Sequence, residues 1–149
     1  MSYFAAVIAR TSTGWIAQEL DLDYVETIDD VAELVRDADE AATTALLFVE
    51  EDDEYVGIVR LDGADDDPRV FLSDGSAADE YDLAGILADG LTEDEDEPVG
   101  DPGLCADLGT SARDLLALVH HEGTLPSDVI TAVCEKAGCL DVLEGLRVG

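Results

Sequence analysis

The residues with the richest chemistry stand late in the chain: His120-His121-Glu122, followed by Cys134 and Cys139. Zinc deaminases use H-x-E and then P-C-x-x-C, because one His and two Cys hold the metal while the Glu moves protons. His120-x-Glu122 supplies the first half of that pattern. The second half departs from it: four residues lie between Cys134 and Cys139 where the motif has two, and no Pro precedes Cys134. Eleven residues separate Glu122 from Cys134, too few for a strand and a fresh helix. Histidines near a helix C-terminus favour the helix dipole, and cysteines serve as small core residues. A zinc-dependent deaminase-like enzyme using His120, Glu122, Cys134 and Cys139 therefore ranks behind the non-catalytic readings.

Other chemistries find less. Asp62, Asp65, Asp66 and Asp67 lack the D-x-[DN]-x-[DN]-G spacing of a calcium loop. Ser73-Asp74-Gly75-Ser76 is a turn, not a G-x-S-x-G elbow. Gly14, Gly57 and Gly63 are isolated, and no G-K-[ST] phosphate loop occurs. A helical hairpin is expected over 110–137, but its second helix carries one basic residue, Lys136, so it is a poor reader of DNA. No catalytic, metal or cofactor residue is assigned, and no cofactor is expected. The amphipathic aromatics Trp15, Tyr24, Tyr55 and Tyr81 could anchor an interface; Trp15, Tyr55 and Tyr81 are the candidate partner-binding residues.

The charge narrows the partners. The chain of 149 residues holds 37 acids and 7 basic residues, for a formal charge of -30. Nucleic-acid binding depends on Lys and Arg neutralising phosphates, and anionic membranes need the same cations. Direct contact with either is excluded. The hydrophobic content of 47% argues for a real core rather than disorder. Residues 1–92 carry 24 acids against 4 basic residues and residues 93–149 carry 13 against 3, so the acidity is no mere tail. The N-terminus has no leader pattern and no apolar run reaches transmembrane length. Three late cysteines do not make a disulfide framework. A cytoplasmic protein is expected.

The elements that must position these residues read as α+β. Apolar runs at 3–9, 45–50, 55–62 and 69–73, with an alternating segment at 14–23, predict five strands. Thr27 caps a helix whose Ile28, Val31, Leu34 and Val35 share one face. Leu83, Ile86 and Leu87 suggest a short second helix. The order is ββαβββα, an antiparallel sheet with helices on one face over residues 1–92. The acidic loop at 50–54 should sit in water. Residues 93–103, acidic and then rich in Pro and Gly, read as a linker. Residues 104–149 read as a three-helix module, with Thr110 or Ser111 capping its first helix and Pro126 opening its second.

Tyr3-Phe4-Ala5-Ala6-Val7, Phe71-Leu72-Ser73-Asp74, Glu80-Tyr81, Ala106-Asp107-Leu108-Gly109 and Leu125-Pro126-Ser127-Asp128 carry a resemblance across nearly the full chain. With them the sequence resembles the actinobacterial family of tRNA adenosine deaminase-associated proteins. The resemblance implies a bacterial cytoplasmic accessory to wobble inosine editing, and it carries over no catalytic motif. The leading reading is a non-catalytic acidic protein that binds another protein with a basic surface, the tRNA adenosine deaminase being the candidate that the family suggests. The alternative is a nucleic-acid mimic that inhibits a basic nucleic-acid-binding protein. A free sheet edge also leaves room for a homodimer.

Overall fold

Continuous apolar runs become central strands here, because the sheet is covered on both faces. The computed structural model describes residues 3–38, 42–51, 54–62, 68–75, 77–88, 98–121 and 123–148. The strands are β1 (Tyr3–Thr11), β2 (Gly14–Glu19), β3 (Thr44–Glu51), β4 (Tyr55–Leu61), β5 (Arg69–Leu72) and β6 (Val99–Gly100). They form one antiparallel sheet in the order β2-β1-β3-β4-β5-β6. The architecture is α+β, as the sequence predicts.

Successive side chains of each strand serve different cores. Val7, Leu47, Val59 and Leu72 face α1 (Ile28–Ala38), α2 (Ala77–Glu80) and α3 (Asp82–Leu87), which contribute Val31, Val35, Ala77, Leu83 and Leu87. Ile8, Leu46, Phe48, Ile58 and Phe71 face the opposite way. They meet Leu115 of α4 (Ala112–His120), Ile130 and Val133 of α5 (Pro126–Ala137) and Leu143 of α6 (Leu140–Val148). The first three helices thus keep to one face. The C-terminal helices bury their apolar sides against the other, and sheet and helices share that second core.

Local signals set the helix ends. Thr27 Oγ1 accepts from the Asp30 N–H at 3.2 Å while the Asp30 carboxylate accepts from the Thr27 N–H at 3.3 Å, a reciprocal cap. Ser111, not Thr110, caps α4 by accepting from the Asp114 N–H at 3.1 Å. Pro126 stands in the first turn of α5, and Gly138 ends that helix at φ 84°.

The alternating segment expected over 14–23 forms a strand only as far as Glu19, and two larger expectations need correction. Among the described residues the sheet has six strands rather than five. Val99 and Gly100, expected within the linker, pair with Leu72 and Phe71 and extend the sheet past β5. Two residues are too short to show an alternating pattern, so only their pairing reveals them. Gly100 is required there: its φ is 97°, and a Cβ would collide with the Val70 carbonyl oxygen. Gly100→Ala is expected to detach β6 and cost about 2 kcal/mol, a loss confined to this edge. Chemical denaturation and the exchange of the Asp101 amide, which bonds Val70 O at 2.8 Å, would check it.

The second correction concerns the acidic hairpin at 50–54. Glu51 is buried rather than solvated, and it accepts a 2.8 Å hydrogen bond from the Tyr55 hydroxyl. That bond satisfies a carboxylate oxygen at the strand end. Residues 52–53, 63–67 and 93–97 lie outside the described residues, and so do the calcium-loop candidates Asp65, Asp66 and Asp67.

Candidate partner-docking surface

Two of the chain's seven basic residues, Arg60 and Arg69, form ion pairs that knit the fold together. Arg60, 5% exposed at its side chain, bonds Asp62 through Nε at 2.9 Å and the Leu104 carbonyl through Nη1 at 2.6 Å. Its two terminal nitrogens also grip the Asp107 carboxylate, the Nη2 bond being 2.8 Å. The fork joins β4 to the segment that leads into the helical layer. The Asp107 hydrogen bond keeps Arg60 firmly charged, and Arg60 in turn holds the Asp107 carboxyl below the usual carboxylate range. Arg69 reaches Asp62 at 3.2 Å and Asp101 at 3.7 Å. Arg10 lies over the Trp15 ring, 5.7 Å from its centroid. Arg113 and Lys136 stand exposed on the helical layer.

The carboxylates, by contrast, gather outside. Glu19, Asp21, Asp23 and Glu26 are exposed along the connection from β2 to α1. Asp29, Glu33 and Asp37 continue them at i, i+4 and i+8 on the outer side of α1. Between positions 19 and 37 one basic residue, Arg36, stands against them. Tyr24 projects from the middle of this belt, 88% exposed. At its margin the Tyr3 hydroxyl accepts from the Leu22 N–H at 2.6 Å and donates to Asp23 at 3.0 Å. Burial, reinforced by the Asp23 and Asp21 charges and opposed by the Leu22 N–H, pushes the Tyr3 phenol up to about 12.

The belt adjoins the sheet edge at β2, whose second-core face is covered by α6. Among the described residues nothing pairs with the outer side of β2. The Leu20 N–H bonds the Ala5 carbonyl at 3.0 Å, so this pair is a hydrogen-bonded one. Alternation along the β1–β2 register then turns Ile16 and Gln18 toward β1. Trp15, Ala17 and Glu19 direct their N–H and C=O groups away from the sheet. Ile16 is 40% exposed beside them.

The candidate aromatics separate. Trp15 is half-buried on this edge strand, against the second core. Tyr81 is half-buried, and its ring lies 5.5 Å from that of Tyr55. Tyr55 is fully buried and belongs to the core, because its hydroxyl has Glu51 as an internal partner. Ile16, Ala17 and Glu19 are not among the aromatic contact candidates. Their alternation marks a strand, but only the strand order marks an edge.

The zinc candidates also separate. His120 is exposed at the end of α4, whereas Cys134 and Cys139 are buried in the second core; Glu122 lies outside the described residues. Both cysteines are free thiols, and a hydrogen bond from the Cys134 thiol lowers the Cys139 pKa, while burial pushes the Cys105 thiol up to about 12. Among the described residues no three His, Cys, Asp or Glu side chains gather to hold a metal ion. Between α4 and α5 lies an open cleft of about 580 Å³ lined by Thr110, Ala117, Leu118, Thr124, Ala132 and Lys136 among others. Among the described residues, no helix is long and apolar enough to cross a membrane.

Neither the curated proteins nor the solved structures return a match. The family model described as Rv3753c-like tRNA adenosine deaminase-associated protein matches residues 3–140, a span that includes the β2 edge, the acidic belt and the Arg60 fork. With the whole sheet and every helix but α6 inside the match, the chain belongs to the Rv3753c-like tRNA adenosine deaminase-associated protein family.

Proposed function

We propose that this chain is a non-catalytic cytoplasmic accessory protein that docks through its acidic surface on a protein with a basic one, the tRNA adenosine deaminase named in the family's description. The observation that carries the reading is the contrast between cations and carboxylates. Arg60 and Arg69 are paired with carboxylates within the fold, and the carboxylates of Glu19, Asp21, Asp23, Glu26, Asp29, Glu33 and Asp37 stand exposed. An enzyme that acts on tRNA must present cations to phosphates. Complementary fields of this kind speed encounter and fix orientation.

Sedimentation of the purified chain mixed with the deaminase tests the reading. A complex that forms at low salt and loosens as salt rises is expected, and no complex at any salt would end the proposal. A second reading, a nucleic-acid mimic, draws on Asp29, Glu33 and Asp37, which repeat along α1 about every 6 Å of helix rise. Adding tRNA to the same mixture separates the two. Mutual exclusion favours the mimic, and a ternary complex favours the accessory role.

A further inference from the structure

We infer that the outer edge of β2 receives an extended basic segment of the partner, which adds a seventh strand to the sheet. The inference rests on the proposed accessory function and assigns the place where docking occurs. Among the described residues, Trp15, Ala17 and Glu19 present unpaired backbone N–H and C=O groups in a row, set by the register with β1. An exposed edge of this kind is a template for another strand.

Proteins commonly guard such edges with an inward-pointing charge, a Pro, a bulge or a covering helix; here α6 packs on one face of β2, and no strand pairs with its outer side among the described residues. The residues Gly14 to Glu19, GWIAQE, contain neither Lys nor Pro, and their pairing with β1 runs without a bulge. The side chains along the edge offer an apolar contact at Ile16 and carboxylates at Glu19, Asp21 and Asp23 just past its end.

Charge selects the occupant. A second copy would bring another formal charge of -30 to the same edge, and like charges across an interface are repulsive. A segment with an apolar residue opposite Ile16 and Lys or Arg toward Glu19 and Asp21 meets both features at once. Backbone bonds would supply affinity, and alternate side chains would supply selectivity.

The test uses the full chain and a synthetic peptide of alternating lysine and valine. Amide exchange followed by NMR reads the pairing directly. Peptide binding is expected to slow exchange at Trp15, Ala17 and Glu19 by roughly tenfold or more, and to leave Ile16 and Gln18, already bonded to β1, unchanged. Ala17→Pro removes one outward donor while sparing the inner ladder, where Pro is tolerated. It is expected to weaken peptide binding roughly tenfold, more than Glu33→Lys, a charge change away from the edge.

Binding without slowed exchange at those three amides would overturn the inference in favour of diffuse attraction. Slowed exchange that grows with protein concentration in the absence of peptide would overturn it in favour of a second copy. If the deaminase binds the chain and its Ala17→Pro variant equally, the edge is not the docking place, although the accessory function stands. If the deaminase binds neither, the accessory function falls and the inference that rests on it falls too.

Discussion

Ile130→Ala is expected to destabilise the whole molecule, not the C-terminal helices alone. Ile130 is fully buried in α5, and its core includes Leu46 and Phe48 of β3 and Ile58 of β4. Truncating an Ile at such a site removes buried methyl groups and leaves a cavity, at a cost of about 3 kcal/mol. For a chain of this length that corresponds to a melting temperature lower by roughly 10 °C. The location of the loss matters more than its size. Because α5 packs directly on β3 and β4, amides in the helix and in the central strands should lose the same protection by hydrogen exchange. Loss confined to α4, α5 and α6 would show that the helical layer unfolds as a separate unit.

Arg60→Ala is expected to cost about 3 kcal/mol, since it strips partners from Asp62, Asp107 and the Leu104 carbonyl together. Arg60→Lys should recover little, because a single ammonium cannot reproduce a planar fork. Asp107→Asn is milder, about 2 kcal/mol: water reaches the Asp107 carboxylate, whose side chain is 63% exposed, but Arg60 stays buried and loses a charged partner. The pH dependence has a definite sign. Folding depresses the Asp107 pKa, so the unfolded chain takes up the proton first as the solution is acidified. The stability that Asp107 adds is therefore complete above its unfolded value of about 3.9 and is lost as pH falls through the lower folded value. Denaturation of wild type and Asp107→Asn from pH 6 downward should give curves that converge in acid. Curves that stay parallel would mean that the contact adds no pH-dependent stability.

Much of this architecture is written in local patterns. The strands at 45–50 and 55–62, the Thr27 cap, the Pro126 start and the Gly138 stop depend on neighbours a few residues away, and each appears within a residue or two of its expected place. Long-range features are the ones the sequence conceals. β1 reads as apolar on both faces, yet nothing local says that the second face is covered by helices more than a hundred residues later. β6 emerges only because β5 lies beside it. Arg60 interrupts an apolar strand, and its partner Asp107 stands 47 positions away.

The candidate docking surface is legible to the same degree. Composition reveals the acidity, and the pass along the chain reveals that it is dispersed. Which carboxylates share a surface depends on how α1 and the β2–α1 connection lie together. Tyr55 illustrates the limit: an aromatic beside an acidic run suggests a contact residue, but the fold turns it inward to bond Glu51.

The most direct measurement is the dissociation constant of the chain and the tRNA adenosine deaminase as a function of ionic strength, made beside a variant with Asp29, Glu33 and Asp37 each changed to Lys. An acidic docking protein should bind at low salt, lose roughly an order of magnitude of affinity as the screening length shortens to about 8 Å, and lose a comparable factor in the variant. Affinity that is indifferent both to salt and to reversal of those three charges would contradict it.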